Sequence, residues 1–187
     1  PALVDKFAKA MTAAKADAIA HATKRVITEK MDEDPAFYEK FSKLIQQAIE
    51  DFRAKRLTDL DYLNKVSDIR SKVVTRHHGD MPEPLAGNDE AMAYYGVLKP
   101  FFELHDQKPD ECEAIAAETA LAIQSVLDRH WKVQFWDDDD AQKLVINDID
   151  DYLFDEVKGK KGVEISLVQM DALIEKTMQV ARHRRIR

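Results

Sequence analysis

The sequence predicts an all-α protein, an irregular bundle of about seven helices headed by a long N-terminal one. Three observations lead there. Apolar residues recur at spacings of three and four through most of the chain rather than alternating. Charged residues make up 34% with only five Gly and six Pro, which suits long solvent-facing helices and not a sandwich or barrel with its frequent turns. Capping residues stand where several of the periodic stretches begin. An apolar content of 45% in 187 residues is enough for one well-buried core with a helical extension.

The first helix is expected over Leu3 to Met31, with Val4, Phe7, Met11, Ala14, Ala18, Ala22 and Val26 as a narrow apolar stripe. Such an Ala-rich helix reads as one that packs against something outside the chain. Asp34-Pro35 opens the second, Asp34 as N-cap and Pro35 at the first helical position. Phe37, Phe41, Leu44, Ile45, Ala48 and Phe52 form its inward stripe. Thr58 caps a third helix that buries Tyr62, Val66, Ile69 and Val73 and is closed by Gly79. The stretch Asp80 to Asn88 (DMPEPLAGN) is a loop, either a hinge between two helical halves or a simple connection.

A fourth helix starts near Asn88, buries Met92, Tyr95 and Leu98, and is expected to kink or restart at Pro100. Pro109 starts the fifth, with Asp110, Glu111 and Glu113 in its first turn and Ile115, Thr119, Ala122, Ile123, Val126 and Leu127 inward. Lys132-Val133-Gln134-Phe135 is the only plausible strand and too short to carry a sheet. The sixth helix spans about Asp137 to Val157 with Leu144, Val145, Ile149, Tyr152 and Leu153 inward, and Gly159 and Gly162 bracket a Lys-Lys turn. Ser166 caps the last helix, Gln169 completes a capping box and Ile165 staples onto Met170.

Charge is uneven. The net is −7. Asp137, Asp138, Asp139, Asp140, Asp148, Asp150, Asp151, Asp155 and Glu156 crowd one stretch against Lys143 alone. Lys176, Arg182, Arg184, Arg185 and Arg187 end the chain without an intervening acid. No apolar run approaches the ~20 residues that span a membrane. One cysteine, Cys112, excludes an internal disulfide, fits a reducing compartment, and reads as a small core residue. The opening PALVDKFAKAM lacks a signal-peptide core and starts with Pro in helical periodicity, which leads us to expect a chain cut from a larger protein.

Few residues of the chain are patterned for chemistry. Asp137 to Asp140 read better as a solvated helix start than as a divalent-cation site, which needs ligands spaced around a turn. His77-His78 lack a spaced Cys or His and read as a helix-end cap. Pro109-Asp110 and Glu156-Val157-Lys158 spell a nuclease motif whose acids and lysine belong on a sheet, and here they fall in helical periodicity. Gly159-Lys160-Lys161-Gly162 lacks the spacing and hydroxyl of a phosphate loop. Lys24-Arg25, Lys158-Lys160-Lys161 and Arg182-Arg184-Arg185-Arg187 could each contact phosphates, or simply decorate a highly charged surface. The C-terminal cluster needs an anion nearby, either nucleic acid or the acidic 137–157 face of the same chain.

Five segments in order carry a resemblance: EKMDEDPAFYEKFSKLIQQAIEDFRAKRLTDLDYLNKV (29–66), AMAYYGVLKPFF (91–102), IAAETALAIQSVL (115–127), FWDDDDAQKLVINDIDDYLFDEV (135–157) and VARHR (180–184). Together they resemble the C-terminal helical domain of the motor (R) subunit of type I restriction enzymes, over roughly residues 25–185. The resemblance implies a parent subunit that is an ATP-dependent DNA translocase and endonuclease using ATP and magnesium in a bacterial or archaeal cytoplasm. Its nuclease and motor domains lie elsewhere in that subunit. This segment is then expected to anchor the motor to the methyltransferase core, with residues 1–31 as a lead-in helix, 32–187 as the assembly domain, and Asp137, Asp138, Asp139 and Asp140 of the acidic sixth helix as partner-binding residues. No catalytic residue, cofactor site or metal site is implied for it. Its expected partners are the methyltransferase subunit and double-stranded DNA, with no membrane. Rival readings are a non-specific DNA-binding module built on the basic clusters, and a metal-dependent enzyme built on Asp137 to Asp140.

Overall fold

The structure, a computed structural model, describes residues 2–79, 81–103 and 109–185; for residues 2–7, 9 and 109 it describes the backbone alone. It is all-α. Among the described residues there are seven α-helices and no strand. They are α1 (Ala2–Lys30), α2 (Pro35–Arg53), α3 (Asp59–Val74), α4 (Asp89–Phe102), α5 (Pro109–His130), α6 (Asp139–Tyr152) and α7 (Leu167–Arg184). A π-helix, Leu153–Lys160, continues α6. Among the described residues, no helix is long and apolar enough to cross a membrane.

Chain contacts divide the molecule into two compact units, Pro1–Met31 with Ala36–Gly79, and Asp32–Pro35 with Asp80–Arg187. In the first unit α1, α2 and α3 share one core. Phe37, Tyr38, Phe41, Ile45 and Ala48 of α2 meet Tyr62, Val66, Ile69 and Val73 of α3, all buried. Thr58 caps α3 by accepting from the Asp61 amide. The Tyr62 hydroxyl donates to Asp17 Oδ1 at 3.1 Å, and its ring stacks on Phe52 at 4.3 Å. Burial first, then the Asp17 carboxylate, pushes the Tyr62 phenol up to about 12.

The first helix turns a different face inward from the one its sequence points to. Ala16, Ala20, Thr23 and Ile27 are buried, whereas Met11, Ala14, Ala18 and Ala22 are exposed. Alanine on nearly every face leaves no dominant stripe, so close packing against α3 selects the row whose small side chains admit that helix. Val4 and Phe7 lie outside the described side chains. In α2, Leu44 is exposed, while Tyr38 and Ile49 take inward positions the periodic reading had not assigned. Helix α3 ends at Val74 rather than at Gly79, because Arg76 adopts a left-handed backbone (φ 49°) and the His77 amide returns to the Lys72 carbonyl.

The second unit packs α4 on α5, α7 on α4, and α6 on α5 and α7. Its core includes Tyr94, Leu98, Phe102, Ile123, Leu127, Phe135, Val145, Ile149, Leu153, Met170 and Leu173. Asn88 caps α4 by accepting from the Ala91 amide. Pro100 neither ends nor restarts α4, which runs unbroken to Phe102. The carbonyl that a proline displaces belongs to the residue four before it, here Gly96, where the backbone adjusts most freely. Cys112 is buried, with Sγ 3.5 Å from the Phe102 carbonyl. Leu144, expected inward, is exposed, since Val145, Ile149 and Leu153 already fill the inward row. Residues 132–135 form a turn instead of a strand: Gln134 is left-handed (φ 60°), which no extended segment tolerates. Ser166 and Gln169 make the reciprocal capping box of α7, and Ile165 and Met170 are both buried beside it.

Candidate docking surface

The end of α5 and the start of α6 build an aromatic corner. The left-handed Gln134 reverses the chain, and a 3-10 turn at Phe135–Asp137 follows, closed by the Asp138 amide on the Phe135 carbonyl. Gln142 Nε2 donates to the Trp136 carbonyl at 3.1 Å and ties that turn to α6. Asp138 then caps α6, accepting from the Ala141 amide at 2.9 Å and pairing with Lys132. The hydrogen bond from Lys132, then the Ala141 amide, lowers the Asp138 carboxyl below its ordinary range. Asp139 and Asp140 follow in the first turn of α6, and Asp137 closes the 3-10 turn, all exposed.

Phe135 is buried at the centre of this corner, with Trp131 at 5.1 Å and Trp136 at 4.9 Å between ring centroids. Two arginines of the C-terminal cluster approach the indoles. The Arg185 guanidinium lies 5.0 Å from the Trp131 ring, and Arg182 lies 5.9 Å from the Trp136 ring. These side chains form a shelf bordering a cleft of about 750 Å3, and Val133 stands beside it at 90% exposure.

Behind the shelf, Arg185 is nearly enclosed. It binds Glu90 through two nitrogens at 2.6 and 3.0 Å, and Asp128 at 2.6 Å. Burial works against its charge, but the hydrogen bonds to Glu90 and Asp128 outweigh that and raise its pKa. Burial likewise pushes Glu90 up, and hydrogen bonds from Arg185 and the Tyr94 hydroxyl overcome this to hold the carboxyl low. Arg184 binds Asp89 at 2.6 Å and the Glu33 carbonyl at 3.1 Å. The anions facing Arg184 and Arg185 are therefore on α4 and α5. They are not on the acidic 137–157 face, whose Asp148 is taken by Arg129 and His130.

The other basic residues are spread over both units. Lys24 donates to Gln46, and Arg25 pairs with Glu29 in the next turn. Lys160 pairs with Glu156, Lys161 with Glu118, and Lys158 lies over the Phe154 ring. Arg187 lies outside the described residues. Pro109-Asp110 sits at the start of α5, and Glu156-Val157-Lys158 on the π-helix. The ring of His78 packs against Phe37 at 4.6 Å. Among the described residues, no group of three or more His, Cys, Asp or Glu is arranged to hold a metal ion.

Sequence reasoning missed the shelf itself. A signal was present, since both tryptophans of the chain fall within six residues, 131–136. The acids Asp89, Glu90 and Asp128 gave none, because they lie up to 95 residues from their arginines. No protein-family model, curated protein or solved structure matches this chain.

Proposed function

We propose that this chain is a helical docking module, the C-terminal assembly segment of a type I restriction motor subunit, which anchors the ATP-dependent translocase and endonuclease to its methyltransferase core. The observation that carries the docking part is the open Trp131–Val133–Trp136 shelf, backed by Arg185, whose charge is already committed to Glu90 and Asp128 of the same unit. Exposed aromatic and aliphatic side chains around a cleft suit a protein surface, and aromatic anchors dominate such contacts. The order and spacing of the five sequence segments support the family assignment.

Internal pairing weighs against duplex DNA as the principal partner. Arg25, Lys160, Lys161, Arg184 and Arg185 each face a carboxylate, which reduces the net positive field available to phosphates. Arg182 and Lys158 are exposed and have no carboxylate partner among the described residues, and they are the residues on which an auxiliary DNA contact rests. Val133→Asp places a charge on the shelf without touching the core. Pull-down of the methyltransferase core by this variant should fall several-fold while its circular-dichroism spectrum is unchanged. Equal capture by variant and parent contradicts the shelf as the contact.

A further inference from the structure

A second opening lies beside the shelf, along α6 and α7, with a volume of about 430 Å3. Ile146, Ile174 and Met178 supply its apolar lining, and Ile146 is 38% exposed. Trp136 and Arg182 stand at one end, and Asp171 and Glu175 of α7 border the other. Asp150 follows Ile146 by one turn on the same face of α6.

These acids are left over by the fold. Glu175 receives only a 3.4 Å hydrogen bond from Gln179 among the described residues, and none of the described cations pairs with Asp171 or Asp150. Elsewhere in the unit the half-buried acids Glu90 and Asp148 are matched, and so is the exposed Asp128. An apolar groove with unmatched carboxylates along one end and a single arginine at the other has a definite complement. We infer that it receives a basic amphipathic helix of a partner protein, apolar face down, with Lys or Arg against Asp171 and Glu175. The stretch from Asp171 to Arg182 runs about 16 Å at the helical rise, room for about three turns of such a ligand. The acids disfavour a phosphate backbone in the same place. The inference rests on the docking reading and adds the chemistry of the partner.

The test uses the intact chain and a fluorescein-labelled peptide of about sixteen residues, with Leu at i, i+3, i+4 and i+7 spacing and Lys elsewhere. Glu-for-Lys and scrambled peptides are the controls. The Leu/Lys peptide should bind, weaken with salt, and lose about tenfold or more in affinity to the variant Asp171→Lys/Glu175→Lys. The equal charge change Glu39→Lys/Asp68→Lys on the first unit should leave affinity within about twofold. Equal loss in both variants means diffuse charge attraction and overturns the groove. Binding of the Glu peptide or of labelled duplex DNA at this site, or a self-association abolished by Asp171→Lys/Glu175→Lys, overturns it too. If that variant still captures the methyltransferase core, docking stands and the groove falls. If the peptide binds as described while the core does not, the groove stands and the assignment of the core falls.

Discussion

Arg185 keeps three carboxylate contacts and an indole while its side chain is only 11% exposed, so its loss strands the half-buried Glu90 rather than merely deleting a pair, while the exposed Asp128 stays solvated. Removing one partner of a largely buried pair leaves an uncompensated charge. Arg185→Gln should therefore cost about 2 kcal/mol in urea unfolding, below the range for fully buried pairs because its partners keep some solvent. Arg182→Gln should cost almost nothing, because that guanidinium is exposed and among the described residues meets only the Trp136 ring. An equal cost for the two would contradict the assigned network. Glu90 adds a pH signature. Its folded carboxyl lies below the ordinary value of 4.5, so its contribution is complete above that value and is lost as pH falls through the lower folded value. The stability difference between parent and Glu90→Gln should hence shrink on acidification below about 4.5 and stay level from there to neutrality. These partners were illegible in the sequence because charge pairing across helices leaves no local spacing to read. Cys112 and the Thr58 cap were legible because burial on a helix stripe and capping are local.

At the scale of elements, caps and strong stripes transferred directly. The four residues expected inward in α3 are all buried, and the Ser166–Gln169 box forms in both directions. The failures have physical causes. Alanine made α1 ambiguous in face, Pro100 was absorbed within α4, and the π-helix Leu153–Lys160 has no propensity signal of its own. The two rival accounts of the acidic run also separate at this scale. Asp138 is the cap of α6, so Asp138→Ala should lower Tm by a few degrees, while Asp139→Asn and Asp140→Asn should shift it little. Ser166→Ala should cost about 1 kcal/mol by the same capping argument applied to α7. Magnesium should leave the parent Tm unchanged. A magnesium-dependent rise abolished by Asp138→Asn would instead favour a metal site there.

For the whole molecule, composition and periodicity were sufficient for the fold class, because a 34%-charged chain with five Gly and repeated caps has few architectures open to it. They were not sufficient for the candidate docking surface. The Trp131–Trp136 corner is assembled from the end of one helix, a left-handed turn and the last turn of α7, which only the folded chain brings together. We propose that the chain alone neither hydrolyses ATP nor cuts DNA, and steady-state assays with magnesium should read background for both. With Arg184 and Arg185 paired internally, their joint change to Gln should leave the salt slope of any DNA binding in place. Removing a side chain that does bind a phosphate would flatten that slope by about 0.9. Docking is tested most directly by mixing the purified chain with the methyltransferase core on a size-exclusion column. A single earlier-eluting peak containing both is expected, formed in moderate salt and without DNA. Separate elution of the two, together with a salt-sensitive gel shift of duplex DNA by the chain alone, would contradict it.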